Sequence, residues 1–425
     1  MSIRVTLLLA VLAVACLCGS AFSATYYIAT WGSDTNPGTS LAPWATLQKA
    51  ADTLLPGDTA RVKAGTYAGC RIKRSGAAGS PCTIAAETVG TVVINVAGPQ
   101  NSHISLMEVE LIGGTPAYWV LDGFELANSL HHGYDCRGTD HITVRNSYIH
   151  GTSPGTGIFW AFSYYNTAEY NETAFNVEHG MYQSNSGDYY TARGNISHDN
   201  TSAGQHINGD RRMKPGDGLI SYCVIERNAI YNNGSHGINC DGVMDSIFRN
   251  NLIYNNHGFG LTLFKTDGNA GSSRNKVYNN TFVMAAAARD VIWIPSSNPA
   301  PTANLVKNNI LYTPDTDEAC IAVYGTAALS AGGSNYNATT NYFSVNAGKS
   351  LIPLSTWQTY GFDANSFVST PTALFVNPAA NNYHLKVGSP AANAGANLSP
   401  DVTNDLNGVT RPQGSAYDIG CYEDF

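Results

Sequence analysis

Charge is what this chain has least of. Asp, Glu, Lys and Arg make up 13% of its 425 residues against 43% hydrophobic, so ion-pair networks cannot be widespread and any charged cluster stands out. Basic residues are the scarcer sign: 23 Lys and Arg against 31 Asp and Glu leave a net charge of −8. With no basic stripe, nucleic acid is not an expected partner. Long apolar runs are missing too. The one candidate, Val5–Cys18, is shorter than a bilayer crossing needs, so no integral membrane span is expected. It follows Arg4 and precedes small residues at Ala21 and Ser23, the pattern of a secretory signal peptide over residues 1–23 with cleavage before Ala24. A secreted or periplasmic protein follows; a lipid-modified Cys16 is the lesser alternative, because Leu is absent from its usual place before that Cys. No Cys/His spacing resembles a zinc site. The cysteines after residue 23 are Cys70, Cys82, Cys136, Cys223, Cys240, Cys320 and Cys421, an odd set in which at least one is free. Cys136 and Cys240 read as small core hydrophobes. Cys70 and Cys82 are the best candidates for a disulfide, with unpaired thiols the favoured reading.

What the chain does have is a period. Gly133, Gly157, Gly180, Gly204, Gly237 and Gly260 each open a short strand, at steps of 24, 23, 24, 33 and 23 residues. Asn146, Asn171, Asn195, Asn228, Asn251, Asn280 and Asn309 repeat alongside them. Short strands punctuated by Gly and Asn at this spacing predict an all-β parallel solenoid, a single-stranded right-handed β-helix of three strands per turn. Asn tolerates the left-handed backbone of a tight bend, and stacked Asn amides can satisfy one another. Side chains alternate along a strand, so the register also sorts inside from outside. Ile158, Met181, Ile238 and Leu261, with Trp160, Ile207, Cys240 and Leu263, are predicted inward. Gln183 and Gln205 interrupt that inner pattern, as members of a polar ladder. Tyr182, His206, Asn239 and Thr262, with Ser184, Asn208, Asp241 and Phe264, are predicted outward, stacked at about 4.8 Å per rung.

Four regions follow: the signal peptide, 1–23; an N-terminal cap with the first rungs, 24–125, including a helix over Trp44–Leu55; the regular coil, 126–325; and C-terminal rungs with a closing tail, 326–425. Asp34 and Asp58 read as turn and cap residues. The long 33-residue step holds an insertion starting Arg211-Arg-Met-Lys-Pro-Gly-Asp-Gly, directly after Asp210, which is expected to wall a groove on the outward face.

The opening Tyr26-Tyr-Ile…Gly32-Ser-Asp…Pro56-Gly-Asp…Gly65-Thr-Tyr, the central repeats, and the tail Gly388-Ser-Pro…Asp405-Leu-Asn-Gly…Asp418-Ile-Gly-Cys together resemble the secreted right-handed parallel β-helix repeat proteins of the pectate-lyase-like superfamily. The resemblance implies a monomeric, polysaccharide-active protein. Within that group, Asp217-Gly218, Asp241, Asp245 and Lys265 resemble the arrangement in polysaccharide lyase family nine, where Asp residues on neighbouring rungs hold Ca2+ and a Lys serves as base. Cys240 stands where that family has a second Asp, which leaves the four-ligand cage incomplete. The expected chemistry is β-elimination on a uronate-containing glycan. Asp217, Asp241 and Asp245 are the expected metal ligands, for Ca2+. His206, Asp210, Asp241 and Lys265 are the expected catalytic groups, and Tyr182, Asn208, Arg211, Arg212, Asn239 and Phe264 the expected substrate contacts. A glycoside hydrolase with paired Asp residues and a non-catalytic glycan-binding protein are the competing readings.

Overall fold

Three short strands per turn, joined by tight corners, wind the chain into a coil. The computed structural model describes residues 23–110 and 115–424; the expected signal peptide therefore lies, but for Ser23, outside the described residues, as does Cys16. Among the described residues the first sheet has 12 strands, from Thr25–Ile28 to Leu329–Asn335. The second has 11, from Cys70–Ile72 to Phe343–Ser344, and the third has 12, from Gly65–Ala68 to Phe367–Val368. Strands within each run parallel. None of the described helices is long and apolar enough to cross a membrane.

The corners explain the Asn period and correct one member of it. Each turn bends from the first sheet to the third through a single left-handed residue: Asn146, Tyr170, Gly194, Arg227, Asn250, Asn279 and Asn308, with φ between 51° and 63°. The next residue carries the amide ladder. Asn195 donates to Asn228 Oδ1 (3.0 Å) and to the Ala168 carbonyl (2.8 Å), and the pattern repeats through Asn251, Asn280, Asn309 and Asn337. Asn146 is therefore the bend, one residue early, and Ser147 occupies its ladder position against Asn171. A second ladder, Asn176–Asn200–Asn233–Asn256, runs along the corner before the second sheet and was not read from the sequence. Both ladders are buried, so each amide replaces water for its neighbours.

Inside, the register holds. Ile158, Met181, Ile238, Leu261, Trp160, Ile207, Cys240 and Leu263 are all fully buried in one core. Of the two interior glutamines, Gln183 donates to the carbonyls of Ser163 and Gly187. The Gln205 amide has no partner among the described residues, so the expected Gln ladder is not formed. All seven described cysteines are free and buried.

The N-terminal helix is Leu47–Thr53, shorter than expected, because Thr46 caps it by accepting from the Lys49 amide at 3.1 Å. Leu47, Ala50 and Ala51 face the core. Gln48 does something more specific: its amide exchanges two hydrogen bonds with the backbone of Arg71, at 2.9 and 3.0 Å. Arg71 lies in Cys70–Ile72, the edge strand of the second sheet, so this side chain satisfies an otherwise open edge. Asp58 accepts the local Leu55 amide, as a turn residue does, and also the Ala24 amide, while Asp34 accepts the Ala45 amide just before the helix. The tail folds back along the outside. Leu374, Phe375, Tyr383, Leu385 and Ile419 pack on Leu252, Val283 and Ile310 of the third sheet, while Val402 and Tyr417 pack on Tyr278 of the first. A fully buried Arg411–Glu423 ion pair at 2.7 Å pins the tail's end.

Candidate functional site

The tail's packing leaves the outer face of the second sheet as the one to build from. Backbone pairing places Arg71, Glu108, Asp135, Phe159, Tyr182, His206, Asn239, Thr262 and Trp293 in one row, each directly above the last. The predicted sheet segments over residues 180–184, 204–208, 237–241 and 260–264 thus lie together and in the predicted register.

The middle of the row is a packed stack. The ring centroid of His206 is 4.6 Å from that of Tyr182 and 4.7 Å from that of His179. Asn239 Nδ2 lies 3.0 Å from His206 Nδ1, and Asn239 Oδ1 accepts from the Thr262 hydroxyl at 2.6 Å. Burial pulls the His206 pKa down to about 4, so the imidazole is neutral at ordinary pH. His132, His179 and His236 are corner residues whose Nδ1 atoms accept a backbone amide from the next rung. Burial lowers them too, to about 3, 3 and 4.

Two positions along each strand, the acids serve the loops. Ser184, Asn208 and Asp241 point outward as predicted but are buried, because the segments after each strand fold over them. Asp241 accepts from the amides of Thr266 (3.0 Å to each oxygen), Asp267 (2.7 Å) and Gly268 (3.0 Å). Its carboxylate is a template for the 266–268 turn. Asn208 bridges from the Tyr182 hydroxyl to Asp241 Oδ2, at 3.2 and 3.3 Å. Asp210 is gripped by Arg212, whose Nε and Nη2 lie 3.0 and 2.9 Å from its two oxygens; the same guanidinium reaches Asp267 at 2.7 Å. The hydrogen bond from Arg212 holds Asp210 below the usual carboxylate range. Asp245 sits at a left-handed corner (φ 49°) and pairs with Arg274 at 2.7 Å. Asp217 accepts from the Leu219 amide at 2.9 Å.

The expected metal set is therefore not assembled. Among the described residues, Asp217, Asp241 and Asp245 do not bring three ligand atoms within 4.8 Å of one another, because each carboxylate is turned to a different loop or arginine. Lys265 is likewise diverted: its ammonium donates to the Asn298 carbonyl. Arg211 donates its backbone N–H to the Asp267 carbonyl at 3.1 Å. Phe264 is half-buried at the end of its strand.

Sequence reasoning missed both ends of the row. Toward the N-terminus, Glu108 and Asp135 stand side by side, with Glu110, His103, His131, Arg71 and Arg137 around them. Burial opposes ionisation of Asp135, but His131 and Arg137 outweigh it and hold the carboxyl well below its ordinary value. Toward the C-terminus, Trp293 stacks on Phe259 at 4.7 Å. Beside them Glu318 and Asp290 share a hydrogen bond, and burial with the Asp290 charge pushes Glu318 up to about 7. The signal that could have found both ends was the row itself, extended in register past residues 180–264.

Comparison with known proteins agrees with this architecture. Residues 26–280 match the family model "Pel9A-like, right handed beta helix region", and residues 216–367 match a general right-handed β-helix model. Among solved structures, pectate lyase Pel9A is 19% identical over 96% of this chain and 98% of its own, with a TM-score of 0.64. XylC in complex with xylose is 11% identical over 94% and 98%, with a TM-score of 0.57. A rhamnogalacturonan lyase is 17% identical over 86% and 95%, with a TM-score of 0.56. No curated protein sequence matches. Since the first model spans more than half of the sequence, the chain belongs to the Pel9A-like right-handed β-helix family.

Proposed function

We propose that this is a secreted polysaccharide lyase that lays a uronate-containing glycan along the second sheet and cleaves it by β-elimination. The observation that carries the reading is the in-register row Phe159–Tyr182–His206–Asn239 on the face the tail leaves open, with the Arg211–Asp217 insertion beside it. His206 is the preferred proton acceptor, because it is neutral while the Lys265 ammonium is already engaged. A uronate carboxylate arriving beside a depressed imidazole raises its basicity, since an opposite charge favours the protonated form. Arg211, next to the arginine that clamps Asp210, supplies positive charge for the substrate carboxylate, and Tyr182 and Phe159 offer aromatic surface to a sugar ring. The names of the similar structures, which include a pectate lyase and a rhamnogalacturonan lyase, support this substrate class.

The test is a panel of uronate-containing and neutral polysaccharides read two ways. A lyase gives ultraviolet absorption from the new double bond; a hydrolase gives reducing ends without it; a binding protein gives neither. His206→Gln is expected to lower turnover about 10²–10⁴-fold, the usual worth of a proton-transfer group, with little change in thermal unfolding. Full activity in His206→Gln removes the imidazole from the mechanism. One observation favours the hydrolase reading: burial and the Asp290 charge keep a proton on Glu318 up to about neutral pH beside the Phe259–Trp293 stack, as a general acid requires. Reducing ends without absorption, abolished by Glu318→Gln, would transfer the chemistry there.

A further inference from the structure

The row on the second sheet ends in a step. Trp293 is its last large side chain, and the next two positions are Ala322 and Ser344. Phe259, from the preceding rung, stacks on the indole with centroids 4.7 Å apart and planes 17° from parallel. On the other side Ala322 offers only a methyl group, and Trp293 is left half-buried. A cavity of about 270 Å³ opens there, walled by the aromatic pair, Arg289, Asp290, Glu318 and residues 347–349. The last of these walls is fixed: the Gly348 N–H donates to the Ser344 hydroxyl at 2.9 Å and the Ser350 N–H to Asn346 Oδ1 at 3.0 Å. Gly348 has φ of 88°, and a Cβ on it would lie 3.0 Å from Asp290 Oδ2, so glycine keeps the space over that carboxyl open.

We infer that this cavity is a subsite for one neutral pyranose residue of the bound glycan, stacked on Trp293 and held through its hydroxyls. The subsite rests on the proposal that the second sheet carries the glycan, and it lies three rungs, about 14 Å, from His206. Pockets for drug-sized ligands begin at about 300 Å³, so the space suits a single ring. Aromatic carbon matches the apolar face of that ring. Asp290, Asp317 and Glu318 bring acceptors to the walls, and Arg289 and Lys349 bring donors. The donors are not spent on the protein. Among the described residues the Arg289 side chain makes no hydrogen bond or salt bridge, only a cation–π contact 5.4 Å from the Phe259 centroid, and the Lys349 side chain makes none. Sugar hydroxyls donate and accept, so they pair with both sets of groups. A uronate carboxylate only accepts, and would face the acids across a short gap. The charge balance agrees. Burial with the Asp290 charge pushes Glu318 up to about 7, so up to about neutral pH the Asp290–Glu318 pair holds one proton. The walls then carry two negative charges and two positive ones, with no excess to attract a carboxylate.

The test is calorimetric titration of the full chain carrying His206→Gln, with xylotetraose, cellotetraose and galactotetraose as neutral probes and tetragalacturonate as the charged one. At least one neutral tetrasaccharide should bind with one-to-one stoichiometry. Trp293→Ala should weaken that binding about 30-fold or more, as loss of a central aromatic anchor does, and Arg289→Met about tenfold, as loss of a charged hydrogen bond does. Tetragalacturonate, held on the Arg211 side of the groove, should bind both variants as it binds the parent. Arg289 is exposed, so its variant reports on the site even where Trp293→Ala lowers the melting temperature. No saturable binding of any neutral probe overturns the subsite, as does binding that both variants leave intact. An equal loss for tetragalacturonate would make the cavity a uronate site and also overturn it. Release of reducing ends from a neutral probe, abolished by Glu318→Gln, would make it a catalytic centre instead. Wild-type lyase activity alongside a negative titration fails the subsite alone, whereas neutral-sugar binding without lyase activity fails only the β-elimination reading.

Discussion

Asp241→Asn separates chemistry from architecture more sharply than any other change at this face. The native carboxylate accepts four contacts from three consecutive amides and is 2% exposed. An asparagine has one acceptor oxygen. Placed at Oδ2 it keeps Asp267 and loses Gly268; placed at Oδ1 it does the reverse. In either orientation its NH2 group faces a buried N–H, which costs about 1–3 kcal/mol for the unpaired donor. The surviving bonds also drop from charged to neutral, losing about 1 kcal/mol more. Burial already pushes the Asp241 carboxyl upward, so removing the charge returns part of that sum of about 2–4 kcal/mol, and the net expectation is a loss of about 1–3 kcal/mol. The loss is local. Hydrogen exchange should speed up at Thr266, Asp267 and Gly268, and the melting temperature should fall by a few degrees. Because this turn carries Lys265 and the Asp267 that braces Arg212, activity should fall along with it. Unchanged exchange at residues 266–268 combined with lost turnover would refute this reasoning and place Asp241 in the chemistry itself.

Three further outcomes follow from the same geometry. Acid should unfold the protein earlier than its carboxylates alone would require, because His132, His179, His206 and His236 have folded-state pKa values of about 3, 3, 4 and 4 against about 6.5 when unfolded. The unfolded chain therefore binds more protons, and stability that is complete above about pH 6.5 drains away as the pH falls toward 4. At pH 5 a fully buried His loses about 2 kcal/mol. Counting the three partly exposed residues at half gives about 5 kcal/mol, against which the raised Glu318 returns about 1. Urea titrations between pH 5 and 7.5 measure this, and a flat profile contradicts it. In the interior, Asn228→Ala removes an amide bonded to Asn195, Asn251 and the Ala192 carbonyl. It should cost at least about 3 kcal/mol by stranding several buried groups, whereas Asn146→Gly, at the left-handed bend, should be nearly neutral by chemical denaturation.

The period in the sequence determined a great deal. Once Gly180, Gly204, Gly237 and Gly260 are aligned, alternation alone places Met181 and Ile238 inside and Tyr182, His206 and Asn239 outside, each above the next. That inference works because backbone pairing in a parallel coil leaves one register in which the apolar set is buried. It failed by a single residue at Asn146, where bend and ladder share an amino acid preference, and φ rather than residue type tells them apart.

What the period could not determine was the use of each carboxylate. Asp241 looked like a metal ligand because it points outward beside other acids; in the fold, the 266–268 turn closes onto it and takes its lone pairs. Loop conformation is set by aperiodic residues, and only the assembled loop shows which amides point at which oxygen. Tertiary structure also decided which face stays open, because the tail packs on the first and third sheets. That choice rests on apolar contacts more than 100 residues apart, such as Tyr254 with Tyr383, which no local pattern encodes.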